Sequence, residues 1–168
     1  MGTSTFQDAP PALDDTSTEV DTVVAIDAAP DAHVCPSGFT AMAGGQATSR
    51  YKFYGYSSSS SIVSFAQASQ TCTNEGGYVA IANDAAEIAA FDTIAQNPSQ
   101  AGYWLGITDA EVEGTWRTVL GELAAYLPWN TAQPNGGIGA NCAVGYQSQL
   151  YDVDCAMATY VFICECTQ

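Results

Sequence analysis

The spacing of the cysteines constrains this chain more than any other feature of its sequence. Six cysteines are dispersed over 168 residues, at Cys35, Cys72, Cys142, Cys155, Cys164 and Cys166. A structural zinc site needs closely spaced pairs of ligands, and the C-x-C at the end of the chain has no second close pair to match it. Dispersed cysteines in even number predict disulfides and therefore an oxidising compartment. Their spacing alone leaves the pairing open.

Acidic residues greatly outnumber basic ones. The chain has 18 Asp and Glu against three Lys and Arg, which gives a formal net charge of −15. Nucleic acids and anionic membranes attract proteins largely through Lys and Arg, so we expect neither as a partner. No apolar run is long enough to predict a transmembrane segment. The charged fraction of 12% is low, which suits an extracellular protein whose surface is hydrated by uncharged polar side chains.

Residues 1–34 differ in composition from the rest of the chain. They contain seven acidic residues, three prolines and no Lys or Arg. Such a segment buries too little apolar surface to offset its ordering entropy, so we predict a flexible tail or linker before a domain at 35–168. Residues 19–26 are β-prone, and the alternative is that they add a strand to a sheet edge and mediate self-association.

The composition of this tail also bears on the source and location of the protein. Its Asp, Ala and Pro content resembles the spacers of bacterial surface lipoproteins, although the lipidated cysteine of such proteins is not present. No export signal is visible, and Met1-Gly2-Thr3 is typical of an expression start. We therefore expect the mature form of an exported protein, extracellular or at a cell surface, and of bacterial origin.

The pattern after the tail predicts an α+β domain with two helices near its start and strands after them. A first helix is predicted over 64–72, where Phe65 and Cys72 share a helical face. A second begins at Asp84, which can cap it, with Glu87 placed as in a capping box. Strands are predicted over 50–54, 78–81, 103–107, 114–117, 141–146 and 160–164.

Several short motifs follow one another in a specific order. They are Cys35-Pro36-Ser37-Gly38-Phe39, Tyr103-Trp104-Leu105-Gly106-Ile107, Glu113-Gly114-Thr115-Trp116, Gln133-Pro134-Asn135 and Phe162-Ile163-Cys164-Glu165. In this order and spacing they resemble a C-type lectin-like domain across nearly all of residues 35–168. The resemblance implies an α+β fold in which two helices flank small antiparallel sheets and a long loop region carries the binding site.

The resemblance also implies how the cysteines pair. In such domains one disulfide ties the first helix to the last strand, and another lies beneath the binding loop. Cys35 lacks the partner that longer family members carry shortly downstream, which leaves Cys166 for it; two free thiols are the alternative. The implied pairs are Cys72 with Cys164, Cys142 with Cys155, and Cys35 with Cys166.

In calcium-dependent members of the family, one calcium ion bridges the protein and the sugar through oxygen ligands. The resemblance assigns Gln133, Asn135 and Asp152 as ligands in this chain. It also implies that Pro134 follows a cis peptide bond, which aims two side-chain carbonyls at one point. Calcium is therefore the expected cofactor, if one is bound.

Two further ligand positions of the family are lost. Ala140 stands where the family has an acid, and Tyr151 stands where it has an asparagine. Asp154 and Asn141 are candidate replacements. We expect a degraded site that binds calcium weakly or has lost it.

Two functional hypotheses follow from the resemblance. The first is an extracellular glycan-recognition or adhesion module, in which aromatic rings stack on the apolar faces of sugars. Tyr151 and Trp129 are the preferred aromatic residues, with Tyr126 and Tyr146 nearby. The alternative is a calcium-independent protein-binding or self-assembling module that uses the same fold.

Catalysis has little support in the sequence. It lacks the nucleophile, metal and phosphate-binding motifs of common enzymes. Asp109, Glu111 and Glu113 form an acidic cluster that a glycosidase could use as a carboxylate pair. They stand in a predicted turn between strands, where a solvated surface explains them better. We therefore expect no enzyme activity.

Overall fold

The computed structural model describes residues 33–55, 62–95 and 102–168. The chain divides into two units, Met1–Asp31 and Ala32–Gln168, and every described residue belongs to the second. Most of the predicted tail, including the candidate self-association segment 19–26, lies outside the described residues. The fold and the candidate site are both properties of the second unit.

The described residues form two helices and seven strands. The helices are α1 (Phe65–Asn74) and α2 (Ala85–Ile94). The strands are β1 (Ser49–Tyr54), β2 (Tyr78–Val79), β3 (Tyr103–Thr108), β4 (Arg117–Thr118), β5 (Cys142–Tyr146), β6 (Gln149–Val153) and β7 (Val161–Thr167). This content confirms the predicted α+β class. No helix in the described part of the chain has the length and apolar character needed to cross a membrane.

The described strands join into a single sheet. Its order is β1-β7-β3-β5-β6, with β2 paired to β7 and β4 paired to β3. The pairing of β3 with β7 is parallel, and the other strand pairings are antiparallel. The parallel pair therefore connects the predicted small antiparallel sheets into one.

Side-chain capping fixes where each helix begins. Ser64 caps α1 by accepting the N–H of Gln67, whose side chain accepts the Ser64 N–H at 3.0 Å in a complete capping box. Asp84 caps α2 as predicted, accepting two N–H groups of the first turn at 2.9 Å each. The predicted capping box at α2 is wrong, because Glu87 accepts the N–H of Asn83 at 2.9 Å instead of that of Asp84.

Two strands differ from the prediction for local reasons. β4 shares only Arg117 with the predicted strand 114–117, because Gly114 is a turn residue with a φ of 76°. β6 is absent from the strands that the residue pattern predicts. It follows β5 through a two-residue turn of Gln147 and Ser148, whose φ values are 50° and 57°. Such turns usually carry Gly or Asn, so the sequence gives no signal for this hairpin.

Both faces of the sheet are buried, each beneath one helix. Trp104 and Phe162 belong to a core cluster that includes residues of α1, whereas Leu105 and Ile163 belong to a cluster that includes residues of α2. This alternation follows from the pleat of a strand, which points successive side chains to opposite faces. The central strands β3 and β7 are therefore mostly apolar, and Glu165 is a buried polar exception.

All six cysteines are paired. The disulfides are Cys35–Cys166, Cys72–Cys164 and Cys142–Cys155, which are the pairs that the resemblance implies. Two of them attach earlier parts of the chain to β7, and the third joins the start of β5 to the segment after β6. Each is expected to contribute about 2–4 kcal/mol by restricting the unfolded chain.

A buried polar network connects strands β1 and β7 to helix α2. Glu87 and Glu165 are almost fully buried, with exposed fractions of 0% and 2%. Glu165 accepts the Ser49 hydroxyl at 2.6 Å and the Ile81 N–H at 3.0 Å, and Glu87 accepts the hydroxyl of Tyr51. Burial raises the pKa of the Glu165 carboxyl, because desolvation penalises its charged form.

Replacing Glu165 with glutamine should remove a pH-dependent part of the stability. Because the pKa of Glu165 is raised in the folded state, its contribution to stability is fully present below the unfolded pKa of 4.5 and is lost as the pH rises through the folded pKa. We expect the free energy of unfolding of the wild type, minus that of Glu165→Gln, to fall in urea titrations as the pH rises above 4.5. Glu122→Gln, at an exposed position, is the matched control. A difference that stays level or rises with pH would contradict this role of Glu165.

Candidate functional site

The long loop between β4 and β5 covers the outer edge of β6. Leu150 in β6 donates its N–H to the Pro128 carbonyl at 2.9 Å and accepts the Asn130 N–H at 3.0 Å. Further along the strand, the Asp152 N–H is directed to Oε1 of Gln133 at 3.4 Å. An edge strand otherwise exposes unpaired backbone groups. The loop satisfies those groups and is thereby held in register with the sheet.

The Asp152 side chain fixes the tip of this loop. Its carboxylate is 7% exposed, and both of its oxygens accept the Asn135 N–H at 3.0 Å. Oδ2 also accepts the Gly136 N–H at 2.6 Å. Hydrogen bonds from backbone N–H groups to a carboxylate are charge-assisted and therefore strong. Asp152 thus binds the loop backbone directly.

Close packing leaves little space beside that carboxylate. A Cβ atom on Gly136 would lie 2.2 Å from the Cβ of Ala140 and 3.1 Å from Oδ2 of Asp152. Only glycine can therefore bring its N–H so near to the carboxylate. Ala140, where the family has an acid, is buried and supplies a methyl group in place of an oxygen ligand.

The structure brings together the three residues predicted as calcium ligands. Gln133 accepts the Asp152 N–H through its side-chain Oε1, and Asn135 donates its own N–H to the Asp152 carboxylate. The Gln133–Pro134 peptide bond is cis, as the resemblance implies. The loop therefore has the shape expected of the family. The side-chain oxygens of Gln133 and Asp152 accept backbone N–H groups and so attach the loop to β6.

The residues present do not fit the calcium site of calcium-dependent family members. Calcium takes roughly six to eight oxygen ligands, several of them from carboxylates. Asp152 is the one carboxylate of the assigned set, and three N–H contacts already occupy its oxygens. Within the described ranges, no group of three or more His, Cys, Asp and Glu side chains is placed to hold a metal ion.

The two candidate replacement ligands are also engaged in local turns. Asp154 accepts the Ala156 N–H at 2.9 Å through Oδ1. The Asn141 amide donates to the Ile138 carbonyl at 3.3 Å. Neither contact directs a side-chain oxygen toward Asp152.

Two tyrosines lie on one face of the β5–β6 hairpin. Tyr146 is opposite Gln149 and Tyr151 is opposite Val144, which makes the tyrosines diagonal neighbours across the strand pair. Their ring centroids are 6.4 Å apart, and both rings are half-buried. Tyr151 packs against the core cluster that contains Val144. The pair forms a small aromatic surface with a rigid support.

Helix α2 holds this hairpin in place. Asp92 accepts both the N–H and the hydroxyl of Ser148, the latter at 2.8 Å, and its other oxygen accepts the Tyr103 hydroxyl at 3.0 Å. These bonds stabilise a turn that lacks the usual glycine or asparagine. Sequence reasoning missed Asp92, because nothing in the residue pattern relates α2 to a turn more than fifty residues later.

The other aromatic candidates, Trp129 and Tyr126, lie at the base of the long loop and are also half-buried. Trp129 is half-buried and packs edge-on against Trp116, with ring centroids 4.7 Å apart. Tyr126 packs against the core cluster that contains Trp116. These rings stabilise the base of the long loop, whereas Tyr146 and Tyr151 lie together on the β5–β6 hairpin.

The acidic cluster lies in a turn, as predicted, and its members differ in environment. Asp109 is buried at 4% exposure and accepts the Gly114 N–H at 2.8 Å through Oδ2. Its Oδ1 has no hydrogen-bond partner among the described residues. Glu111 and Glu113 are exposed. The cluster therefore combines a turn-stabilising carboxylate with two solvated ones.

Comparison with known proteins identifies the family. The family model for the lectin C-type domain matches residues 61–166. The chain belongs to the C-type lectin domain family. The human protein C-type lectin domain family 3 member A is 32% identical over 116 residues, which cover 67% of this chain and 59% of that protein. The chain thus spans little more than half of that relative's length.

Solved structures of the family share the fold. The carbohydrate-recognition domain of the mouse scavenger receptor C-type lectin has a TM-score of 0.64 and 23% identity, covering 80% of this chain and 99% of that one. A calcium-independent type II antifreeze protein has a TM-score of 0.65 and 22% identity, covering 80% and 95%. The C-type lectin fold is confirmed. The named relatives are animal proteins, so the comparisons do not support the expected bacterial origin.

Replacing Asp152 with alanine should destabilise the domain through the loop. The N–H groups of Asn135 and Gly136 would lose their shared acceptor, at a cost of about 1–3 kcal/mol in the free energy of unfolding. Urea titration of both proteins measures this loss. Asp154→Ala is the control, since Asp154 is exposed and caps only a local turn. Equal losses for the two variants would show that Asp152 does not hold the loop.

Proposed function

We propose that this protein is an extracellular carbohydrate-recognition module that binds its sugar without a bridging calcium ion. The observation that carries the proposal is the Tyr146–Tyr151 pair on one face of the β5–β6 hairpin, whose ring centroids are 6.4 Å apart. In this mechanism the sugar stacks on the tyrosine rings. The proposal assigns binding to this site and no catalytic step.

The state of the loop supports calcium independence. In a calcium-dependent site the ion would collect carboxylate and amide oxygens from loop and strand. Here Asp152 makes the equivalent connection by accepting the N–H groups of Asn135 and Gly136. The loop is therefore preorganised by hydrogen bonds within the chain, without a bridging ion.

The chemistry around the tyrosines supports a sugar as the ligand. A tyrosine ring presents an apolar face for the C–H groups of a pyranose and a hydroxyl for its polar edge. Amide side chains surround the pair: Gln147 donates to the Tyr146 hydroxyl at 3.0 Å, and Asn130 donates to Gln149 at 2.6 Å. Amides both donate and accept hydrogen bonds, which matches the hydroxyl groups of a sugar.

The disulfides support an exported location, extracellular or at a cell surface. Three buried or partly buried bridges require an oxidising compartment to form and persist. We further propose residues 35–168 as the recognition domain and residues 1–34 as the segment that separates it from a surface. Self-association through residues 19–26, which lie outside the described part, stays a prediction.

Glycan binding by the full chain in EDTA tests the proposal. We expect the protein to bind neutral glycans on an array in EDTA, with the same pattern after calcium is added. Tyr151→Ala should weaken binding by about tenfold or more, because the stacking surface is lost. The readout is the dissociation constant for the strongest glycan, measured by titration calorimetry.

Tyr151→Phe is the matched variant, because it keeps the ring and removes only the hydroxyl. It should bind within about threefold of the wild type, which corresponds to less than 1 kcal/mol. Absence of glycan binding in both conditions, or binding that needs calcium, would refute the proposed mechanism.

A further inference from the structure

We propose that Asn135 is a site of spontaneous deamidation, that the Asp152 carboxylate keeps it unmodified in the folded chain, and that the modification releases the loop tip from β6. The loop tip is defined as Asn135 and Gly136, the two residues whose N–H groups Asp152 accepts. The inference is independent of the sugar-binding proposal, because it needs no bound ligand.

The sequence singles out one asparagine for this chemistry. Asn135 and Gly136 form the single Asn-Gly pair of the chain, and every other asparagine precedes a residue that has a side chain. Deamidation begins when the backbone nitrogen of the next residue attacks the side-chain carbonyl carbon of the asparagine. Glycine permits this close approach because it has no Cβ. Asn135 is therefore the most reactive asparagine that the sequence offers.

The loop tip is accessible to water, which the reaction consumes. Asn135 and Gly136 are both exposed. The contact of Asn135 with Asp152 uses its backbone N–H and not its side-chain amide. Asn130, in the same loop, is half-buried and donates its side-chain amide to Gln149 at 2.6 Å. The reacting side chain of Asn135 is therefore not restrained by Asp152, whereas that of Asn130 is held by its neighbour.

The reaction converts a side-chain amide and water into a carboxylate and ammonia. Gly136 loses its N–H proton, and its nitrogen forms a bond to Cγ of Asn135. The bond from Cγ to Nδ2 breaks, and Nδ2 takes up a proton and leaves as ammonia, which closes a succinimide ring. Water then opens the ring at either of its two carbonyl carbons. One product is aspartate, and the other is isoaspartate, in which the main chain passes through the former side chain.

The Asp152 carboxylate opposes the first step of this reaction. Its Oδ2 accepts the Gly136 N–H at 2.6 Å, and this is the proton that the nitrogen must lose. Loss of the proton would place a negatively charged nitrogen beside a buried carboxylate, and a like charge nearby disfavours such ionisation. We infer that Gly136 attacks only after the loop tip has separated from Asp152 in a local opening.

Each product weakens the contact that had protected the asparagine. The aspartate product adds a second negative charge at the residue whose N–H Asp152 accepts. The isoaspartate product adds a methylene group to the main chain between the two N–H groups that Asp152 accepts. A Cβ on Gly136 would lie 2.2 Å from the Cβ of Ala140, so the main chain has little space to absorb that extra group. The modified loop tip is therefore expected to leave β6.

Peptide mapping by mass spectrometry on the full chain tests the proposal. The wild type is incubated in mildly alkaline buffer, and the conversion of Asn135 to aspartate and isoaspartate is followed with time. The same chain, reduced and unfolded in urea, gives the reference rate. We expect conversion in the folded chain to be slower by about tenfold or more, because the hydrogen bonds to Asp152 must open first.

Asp152→Asn separates the charge of the carboxylate from its shape. Asparagine keeps an oxygen that can accept the Gly136 N–H, but it forms a weaker, neutral hydrogen bond. Asn135 should therefore convert about fivefold faster in this variant than in the wild type. Asp154→Ala is the control, because Asp154 is exposed and accepts an N–H in a local turn. Its conversion rate should stay within about twofold of the wild type.

Amide exchange of Gly136, measured by NMR, tests the release of the loop tip. Asn135→Asp reproduces the aspartate product, and Asn135→Gln is the matched variant that keeps a neutral amide. We expect exchange to be about threefold faster in Asn135→Asp and unchanged in Asn135→Gln, since only the former adds charge beside Asp152.

Four results would overturn the proposal. They are folded-chain conversion as fast as that of the unfolded chain, no conversion of Asn135 in the unfolded chain, equal conversion rates in Asp152→Asn and Asp154→Ala, and unchanged Gly136 exchange in Asn135→Asp. The comparison of folded with unfolded wild type needs no substitution, so it decides the protective role even where a variant fails to fold.

Discussion

The buried Asp152 carboxylate determines how the long loop is attached to the sheet. It accepts the N–H groups of Asn135 and Gly136, and its own backbone N–H is directed to Gln133. A carboxylate at 7% exposure needs strong partners, and two backbone donors provide them without a cation. The shape of the loop tip follows from this interaction.

The sheet and the disulfides provide the support on which that interaction depends. β7 pairs with β1, β2 and β3, so it connects the first and last parts of the domain. Cys72–Cys164 and Cys35–Cys166 attach α1 and the start of the domain to the same strand. The loop can therefore be an irregular segment, because the strand edge to which it binds is rigid.

The sequence predicts the positions of the helices better than it predicts the contacts of the candidate site. The periodicity of Phe65 and Cys72 locates α1, and the capping of α2 by Asp84 follows from residue type, because both depend on neighbours along the chain. The β5–β6 turn does not follow, since Gln147 and Ser148 adopt left-handed conformations only because Asp92 holds Ser148 from α2. Such a contact exists only in the folded molecule.

The candidate site also depends on contacts that exist only in the folded molecule. Sequence comparison with the family identifies Gln133, Asn135 and Asp152, and the structure brings these residues together. Their chemical use depends on Gly136 and Ala140, whose close approach allows the loop backbone to reach the carboxylate. From the residue types alone, we infer a calcium site that has lost some of its ligands. The hydrogen bonds show that Asp152 itself binds the loop backbone.

Amide hydrogen exchange of Asn135 and Gly136, followed by NMR in the full chain, tests this conclusion most directly. We predict that both amides are protected from exchange in EDTA, because Asp152 holds them, and that calcium leaves their rates unchanged. Rapid exchange in EDTA that becomes slow when calcium is added would contradict it, because the loop would then depend on the metal ion.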